Sequence, residues 1–159
     1  MTPTRVVIGI GNPFRGDDGI GPALIAELAE LALPDSVLRV STGDPFDLIA
    51  AWAGADHVVV VDAAHTGQVP PGTIHHWERR QAAQVARTQV GSHGLGLPDA
   101  IAISDALGLT PAELVILAVE IGDVRFGTTL SPEVARALLE LGTQFAGRAP
   151  SADGASARR

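Results

Sequence analysis

The sequence predicts an α/β protein in which a mostly parallel, twisted central sheet lies between two helical layers. Short β-branched runs alternate with segments of helical periodicity, and this alternation favours a three-layer αβα sandwich. The clearest strand, residues 57–62, is apolar throughout its middle, which is typical of a sheet covered on both faces. The length of 159 residues is about that of one domain. We expect residues 1–146 to form this domain and residues 147–159 to be a disordered tail.

The first predicted unit is a strand, a glycine-rich loop and a helix. Residues 5–10 are a short β-branched run that ends at Gly11, Asn12 and Pro13, which indicates a buried strand leaving the sheet in a turn. The loop that follows contains Asp17 and Asp18. From residue 19 onward, apolar side chains recur at helical spacing. They are Ile20, Leu24, Ile25, Leu28 and Leu31.

The middle of the chain is predicted to contain a strand, a short helix and then two further strands. Residues 37–40 form one strand, and Asp44 with Pro45 supplies the start of a helix that ends at Trp52. Residues 57–62 form the next strand, which ends on Asp62. A turn at residues 70–72 leads into a strand over residues 73–77, whose two adjacent histidines should face opposite sides of the sheet.

The last part of the chain contains one ambiguous segment and three clear elements. Residues 78–89 are polar and arginine-rich, and they fit either a loop or an irregular helix. Pro98 predicts the start of a helix over residues 100–107, and residues 114–121 form another buried strand. Ser131, Pro132 and Glu133 open the final helix. Its apolar stripe consists of Val134, Leu138, Leu141 and Phe145.

The composition excludes several classes of chemistry and of partner. Without cysteine there is no disulfide, thiolate metal site or cysteine nucleophile, and all 11 basic residues are arginine, which excludes a catalytic or P-loop lysine. A net charge of −7 would repel nucleic acid. No apolar run approaches the roughly 20 residues that span a bilayer, and the N-terminus lacks a secretion signal, so we expect a cytoplasmic protein without a membrane partner.

Acidic residues follow two of the predicted strands and should meet at one edge of the sheet. Asp17 and Asp18 come after the first strand and Asp62 ends the strongest one, and ligands of such sheets bind beyond the carboxyl ends of the strands. Asp17 and Asp18 could instead cap the first helix, which would stabilise it by about 0.3–1 kcal/mol. Asp62 follows four valines, where an unpaired charge costs several kcal/mol, so it needs a partner, a hydrogen-bond network or a metal.

His93 lies in a glycine-rich stretch from which an imidazole could approach this edge from a loop. By itself it would be an ordinary loop histidine, and His65, three residues after Asp62, is a competing ligand. Asp18, Asp62 and His93 remain the one constellation with a plausible common location. Two carboxylates and one imidazole suit a borderline divalent ion such as nickel or zinc, with the remaining positions left to water or a partner.

Other catalytic and binding motifs have little support in the sequence. The turn containing Gly9 and Gly11 resembles the start of a dinucleotide fingerprint, but Phe14 replaces its third glycine and two aspartates downstream would oppose a pyrophosphate. The serine-hydrolase pattern G-x-S-x-G and the zincin pattern H-E-x-x-H are both absent from the sequence.

Four segments resemble the hydrogenase maturation endopeptidases, in the order in which that family carries them. They are residues 9–21 (GIGNPFRGDDGIG), residues 58–62 (VVVVD) with Pro71 and Gly72, residues 92–95 (SHGL) and residues 127–133 (GTTLSPE). The resemblance implies an endopeptidase that removes the C-terminal extension from the large-subunit precursor of a nickel-iron hydrogenase once nickel has been loaded.

The resemblance also implies roles for individual residues. It gives the metal-binding and catalytic positions to Asp18, Asp62 and His93, with nickel supplied by the precursor rather than permanently bound. Asp18 stands where some members of the family carry glutamate, so the reach of this ligand differs. Two alternatives are a nickel-binding chaperone or adaptor that uses the same ligands without cutting, and a related endopeptidase of this fold with another substrate.

Overall fold

The computed structural model describes residues 5–81 and 96–147. In these ranges the strands are β1 (Arg5–Ile10), β2 (Ser36–Ser41), β3 (His57–Ala64), β4 (Ile74–Glu78) and β5 (Glu113–Glu120). The helices are α1 (Ile20–Leu31), α2 (Pro45–Trp52), α3 (Leu97–Leu107) and α4 (Pro132–Gly147), and a 3₁₀ turn over Gly16–Gly19 precedes α1. The predicted alternation of strands and helices is confirmed.

The five strands form one sheet in the order β2-β1-β3-β5-β4. β1 pairs in parallel with β2 and with β3, and β3 pairs in parallel with β5. β4 alone runs antiparallel, on the outer side of β5. The sheet is therefore mostly parallel, as the sequence predicts. β5 lies between β3 and β4, although β4 comes directly after β3 in the chain.

Each face of the sheet packs against two helices. On one face, buried side chains of β3 such as Val58 and Val60 contact Leu48 and Trp52 of α2 and Ile101 of α3. On the other face, buried residues of α1 and α4 pack against β1, β3 and β5. Fully burying one such large apolar side chain stabilises the fold by about 1.5–3 kcal/mol. These two cores make the three-layer αβα arrangement.

The amino ends of two helices show why they begin where they do. The Asp44 carboxylate accepts hydrogen bonds from the backbone N–H groups of Phe46 and Asp47, each at 3.0 Å, so Asp44 is the N-cap of α2 as the sequence predicts. α3 begins at Leu97, three residues before the predicted start, because Asp99 accepts the backbone N–H of Gly96 at 3.0 Å and fixes the first turn.

Several boundaries, and the burial of one residue, differ from the prediction. β3 continues two residues beyond Asp62, to Ala64, because β5 pairs with it as far as Glu120. Leu31 is exposed rather than buried, since α1 ends there and Ala32 adopts a left-handed conformation. The final helix includes Gly147, the first residue of the predicted tail.

Several sequence predictions concern residues that the structure does not describe. His93 and most of the ambiguous segment 78–89 fall in the gap 82–95; of the rest of that segment, Glu78 ends β4 and residues 79–81 are helical. Residues 148–159 of the predicted tail also lie outside the described part, so the domain boundary stays a prediction. Within residues 5–81 and 96–147, none of the helices combines the length and the apolar character needed to cross a bilayer.

Candidate functional site

The strand order of the sheet reverses between β1 and β3, and the carboxyl ends of these two strands lie side by side. From β1 the chain moves outward to β2, and from β3 it moves in the opposite direction to β5 and β4. The helices that follow β1 and β2 lie on opposite faces, since α1 and α2 belong to different cores. A crevice opens at such a point, and it is where sheets of this type bind ligands.

Glycines bring the loop after β1 close to the strand. A side chain on Gly9 would lie 2.3 Å from the carbonyl oxygen of Gly21 in α1, so only glycine allows this helix to pack so near β1. Gly11 has a φ of +149°, and a side chain there would lie 1.9 Å from the carbonyl oxygen of Asp18. The glycines that resemble part of a dinucleotide motif therefore serve close packing, and they hold Asp18 against the end of β1.

Asp18 and Asp62 lie together at this edge of the sheet. The Asp18 carboxylate is partly buried and accepts the backbone N–H of Asn12 at 2.9 Å. Asp62 is also partly buried, and its Oδ1 accepts the backbone N–H of Ala63 at 2.8 Å. Asp62 lies one position beyond Val61, which is the last β3 residue paired with β1. The charge of Asp18 acts on Asp62, so the two acids lie near each other at this edge, and their joint role as metal ligands stays a prediction.

Burial and, to a smaller extent, the negative charge of Asp18 together raise the pKa of Asp62 to about 7, against the opposing effect of the hydrogen bond from Ala63. A carboxyl group with this pKa is partly protonated near neutral pH. Among the described residues, neither aspartate has an ion-pair partner. The pair therefore has uncompensated negative charge that a cation would neutralise.

Asp17, the neighbour of Asp18, has a different role from the one considered in the sequence. It is fully buried, and its two oxygens accept hydrogen bonds from the backbone N–H of Ser131 at 2.7 Å and from the Ser131 hydroxyl at 2.9 Å. The backbone N–H groups of Gly122 and Asp123 donate to it at 3.4 and 3.1 Å. The interpretation of Asp17 as a helix cap is wrong, because it joins the loop after β1 to the segment between β5 and α4.

Glu120 is a buried acid that the sequence prediction overlooked. It is 1% exposed, and its Oε1 accepts the backbone N–H and hydroxyl of Thr66, both at 2.8 Å, and the backbone N–H of Gly67 at 2.9 Å. Its Oε2 lies 3.4 Å from Nε2 of His75. Glu120 thereby fixes the loop that follows Asp62. An acid at the end of a buried apolar run was the signal that singled out Asp62, and the same signal marks Glu120.

The two histidines of β4 are separate from the two aspartates. His75 and His76 do face opposite sides of β4: His75 is partly buried and stacks on Trp77 at a ring-centroid distance of 4.9 Å, whereas His76 is exposed. His75 and Asp62 both pair with Ala118, which places their Cα atoms two strand spacings, about 10 Å, apart. His65 is exposed.

The third predicted site residue, His93, lies outside the described residues. In the part of the chain that the structure covers, no cluster of three or more His, Cys, Asp or Glu side chains is arranged to hold a metal ion. The donor chemistry of Asp18 and Asp62 nevertheless fits a divalent cation, because both are carboxylates and their negative charges are unpaired within the same described ranges. One further ligand from a loop would complete a three-donor set.

Comparison with known proteins gives a consistent family match. The family model described as HycI, hydrogenase maturation protease, matches residues 22–145. The hydrogenase 2 maturation protease of Escherichia coli (strain K12) is 27% identical over 116 residues, which cover 72% of this chain and 71% of that protein. The hydrogenase expression/formation protein HupD of Rhodobacter capsulatus is 30% identical over 139 residues, which cover 84% of this chain and 65% of HupD.

Solved structures agree with the fold. The hydrogenase maturating endopeptidase HybD from E. coli superimposes with a TM-score of 0.76 at 24% identity, covering 89% of this chain and 88% of that one. A solution structure of an endopeptidase from Escherichia coli gives a TM-score of 0.79 at 23% identity, with the same coverage of 89% and 88%. From the match to more than half of its residues, this chain belongs to the hydrogenase maturation protease family.

Proposed function

We propose that the chain is an endopeptidase that removes the C-terminal extension from a nickel-loaded large-subunit precursor of a nickel-iron hydrogenase. The observation that carries this proposal is the pairing of Asp18 and Asp62 at the crevice between β1 and β3, in a chain that belongs to a family of maturation proteases. Two uncompensated carboxylates at the ligand-binding edge of the sheet suit recognition of a cation carried by the substrate.

The proposed roles rest on the family resemblance and, for Asp18 and Asp62, on their positions in the fold. Asp18 is held by Asn12 and by the glycines of the first loop, and Asp62 is held at the end of the apolar run of β3. With His93, they would bridge the nickel of the precursor, and this ion would supply polarisation of the scissile carbonyl or of a bound water. Cutting would then depend on correct nickel loading, and the isolated enzyme would need no resident metal.

A direct test compares cleavage of nickel-loaded and nickel-free precursor by the purified protein. We expect the loaded precursor to lose its C-terminal extension and the nickel-free precursor to stay intact. Equal cleavage of both would remove the metal-sensing part of the proposal. Mass spectrometry of the precursor's C-terminus detects the cut and also separates an endopeptidase from a nickel-binding chaperone, which would bind the loaded precursor and leave its mass unchanged.

Substitutions test the assigned residues. Asp62→Asn and His93→Ala should each abolish processing while the protein stays folded. Two exposed residues provide matched controls: Asp56 precedes the same strand as Asp62, and His76 lies on β4. Asp56→Asn and His76→Ala should process at the wild-type rate. An Asp62→Asn or His93→Ala protein that processes normally would contradict the role given to that residue.

A further inference from the structure

Three of the four phenylalanines of the chain are exposed, and all three lie at the carboxyl edge of the sheet. Phe14 follows β1, Phe46 lies in the first turn of α2 after β2, and Phe126 lies in the segment after β5; their exposed fractions are 62%, 70% and 91%. Phe145 is buried in the core. Aromatic side chains contribute heavily to interface energies, and apolar surface concentrated at one place on a protein marks a binding surface.

Phe14 and Phe126 lie on two segments that are joined by backbone hydrogen bonds. The N–H of Gly127 donates to the carbonyl of Phe14 at 2.9 Å, and the N–H of Gly16 donates to the carbonyl of Gly127 at 2.8 Å. Arg15 and Gly127 form a parallel bridge between them. Val124, which is 43% exposed, lies on the same segment as Phe126. We refer to Phe14, Val124 and Phe126 as the aromatic patch.

The aromatic patch is physically connected to Asp18. The backbone N–H of Asp18 donates to the carbonyl of Arg15 at 3.1 Å, directly after Phe14 in the chain. Asp17 makes two hydrogen bonds to Asp123, on the segment that carries Phe126. Its backbone N–H donates to the Asp123 carbonyl at 2.9 Å, and its carboxylate accepts the backbone N–H of Asp123 at 3.1 Å. One buried carboxylate thus fixes the patch relative to the candidate site.

The segment that carries Phe126 is also ordered by its own contacts. Arg125 donates to both carboxylate oxygens of Asp123, with Nη2 at 2.9 Å from Oδ2, and this contact lowers the pKa of Asp123 to about 2. The backbone N–H of Arg125 donates to the same carboxylate at 3.0 Å. A surface that is already ordered loses little conformational freedom on binding, which favours affinity.

We propose that the aromatic patch is the surface on which an apolar region of the hydrogenase large-subunit precursor docks, next to its cleavage site. This inference rests on the proposed function, since it takes its partner from it. The patch would supply binding energy and align the precursor, whereas Asp18 and Asp62 would contact its metal.

The charge around the patch favours this partner over two others. Asp18 and Asp62 are acids without an ion-pair partner among the described residues, and the chain carries a net charge of −7, so an anionic lipid surface would be repelled. A second copy docked through the same edge would place its own two carboxylates close to these, which like charges disfavour. A partner that combines a cation with apolar surface complements both features.

An unmet hydrogen-bond donor belongs to Arg15, which follows Phe14 and forms a backbone bridge with Gly127. Nε of Arg15 is buried and has no acceptor within residues 5–81 and 96–147. Buried donors are rarely left without an acceptor in native proteins. A docked chain that supplies a carbonyl or carboxylate near Arg15 would allow its guanidinium to turn and pair.

The experiment measures processing of nickel-loaded precursor by the wild type, Phe14→Ala, Phe126→Ala and the double variant. We expect the double variant to raise KM at least about tenfold, as loss of an interface hot spot does, with kcat at saturation changed less than about twofold. The matched control is Leu107→Ala, because Leu107 is 62% exposed like Phe14 but ends α3 at the opposite edge of the sheet. Its KM should equal that of the wild type.

Binding measured without cutting separates this inference from the proposed function. In the Asp62→Asn background, biolayer interferometry on immobilised precursor should show the same loss of affinity for the double variant. If the wild type cuts and binds the precursor but the double variant has an unchanged KM and affinity, the docking surface is elsewhere. If the wild type binds without cutting and the double variant binds at least tenfold more weakly, the endopeptidase proposal fails and the docking surface stands. The inference would be overturned if sedimentation showed that the wild type is a dimer and the double variant a monomer, because a second copy would then cover the patch.

Discussion

Asp62→Asn should make the protein more stable at pH 8 while abolishing its processing activity. The rise in the pKa of Asp62 from 3.8 to about 7 means that the folded state disfavours the charged carboxylate. At 1.36 kcal/mol per pKa unit this corresponds to an upper value of roughly 4 kcal/mol. Because Asp62 is only partly buried, we expect about 2 kcal/mol of added stability in the free energy of unfolding. Asparagine keeps an oxygen that can accept the N–H of Ala63.

The sign of the pH dependence follows from proton linkage. Below about pH 4, Asp62 is protonated in both the folded and the unfolded state, so the wild type and the variant should have similar stability. As the pH rises from about 4 to 7, only the unfolded state releases the proton freely, and the wild type loses stability relative to the variant. The difference is complete above about pH 8.

Urea unfolding at pH 5 and pH 8 in the presence of a chelator measures this difference. The fluorescence of Trp52, which is fully buried, reports unfolding. At pH 8 the melting temperature of the variant should also rise by about 4–8 °C, since 1 kcal/mol corresponds to roughly 2–4 °C in a chain of this size. Asp56→Asn, an exposed aspartate before the same strand, should show no comparable gain. A variant less stable than the wild type at pH 8 would refute the reasoning, because it would mean that the fold stabilises the charged carboxylate.

Three other predictions concern the buried acids and the glycine contact. Asp17→Asn should lower the free energy of unfolding by about 2–4 kcal/mol in urea titrations, because an amide nitrogen would face backbone donors that now bond to the carboxylate. Glu120→Ala should lower it by a similar amount, whereas Glu120→Gln should cost less because it retains the oxygen that accepts from Thr66; equal losses would contradict the assigned contacts. Gly9→Ala should destabilise by at least about 2 kcal/mol in thermal unfolding, since the added carbon would lie 2.3 Å from a backbone oxygen, and Gly147→Ala, with no atom nearby, should have little effect.

The order of strands and helices was predictable because it depends on local patterns. Continuous β-branched runs identified β1 and β3, and Asp44 with Pro45 marked the start of α2. The direction of β4 was not predictable in the same way. β5 pairs with both β3 and β4, and no short-range signal in the sequence indicates that a later strand will be inserted between two earlier ones.

The candidate site was predictable in part for a related reason. The burial cost of a charge after four valines drew attention to Asp62, whose pKa the fold does raise, and the rule for the carboxyl ends of parallel strands predicted Asp18 near it. Asp17 and Asp18 have the same side chain and adjacent positions, so local sequence cannot distinguish their roles. What distinguishes them is Ser131, which donates two hydrogen bonds to Asp17 from 114 positions away.

That long separation between Asp17 and Ser131 has a consequence for the newly made protein. The loop that carries Asp18 emerges early during synthesis, but Ser131, which donates two of the hydrogen bonds that secure it, lies directly before the last helix. A nascent chain that lacks Ser131 leaves the Asp17 carboxylate without two of its hydrogen-bond donors, so the first loop is held less firmly. We therefore expect proteolytic activity to arise only once translation has passed Ser131, so that unfinished chains are inactive.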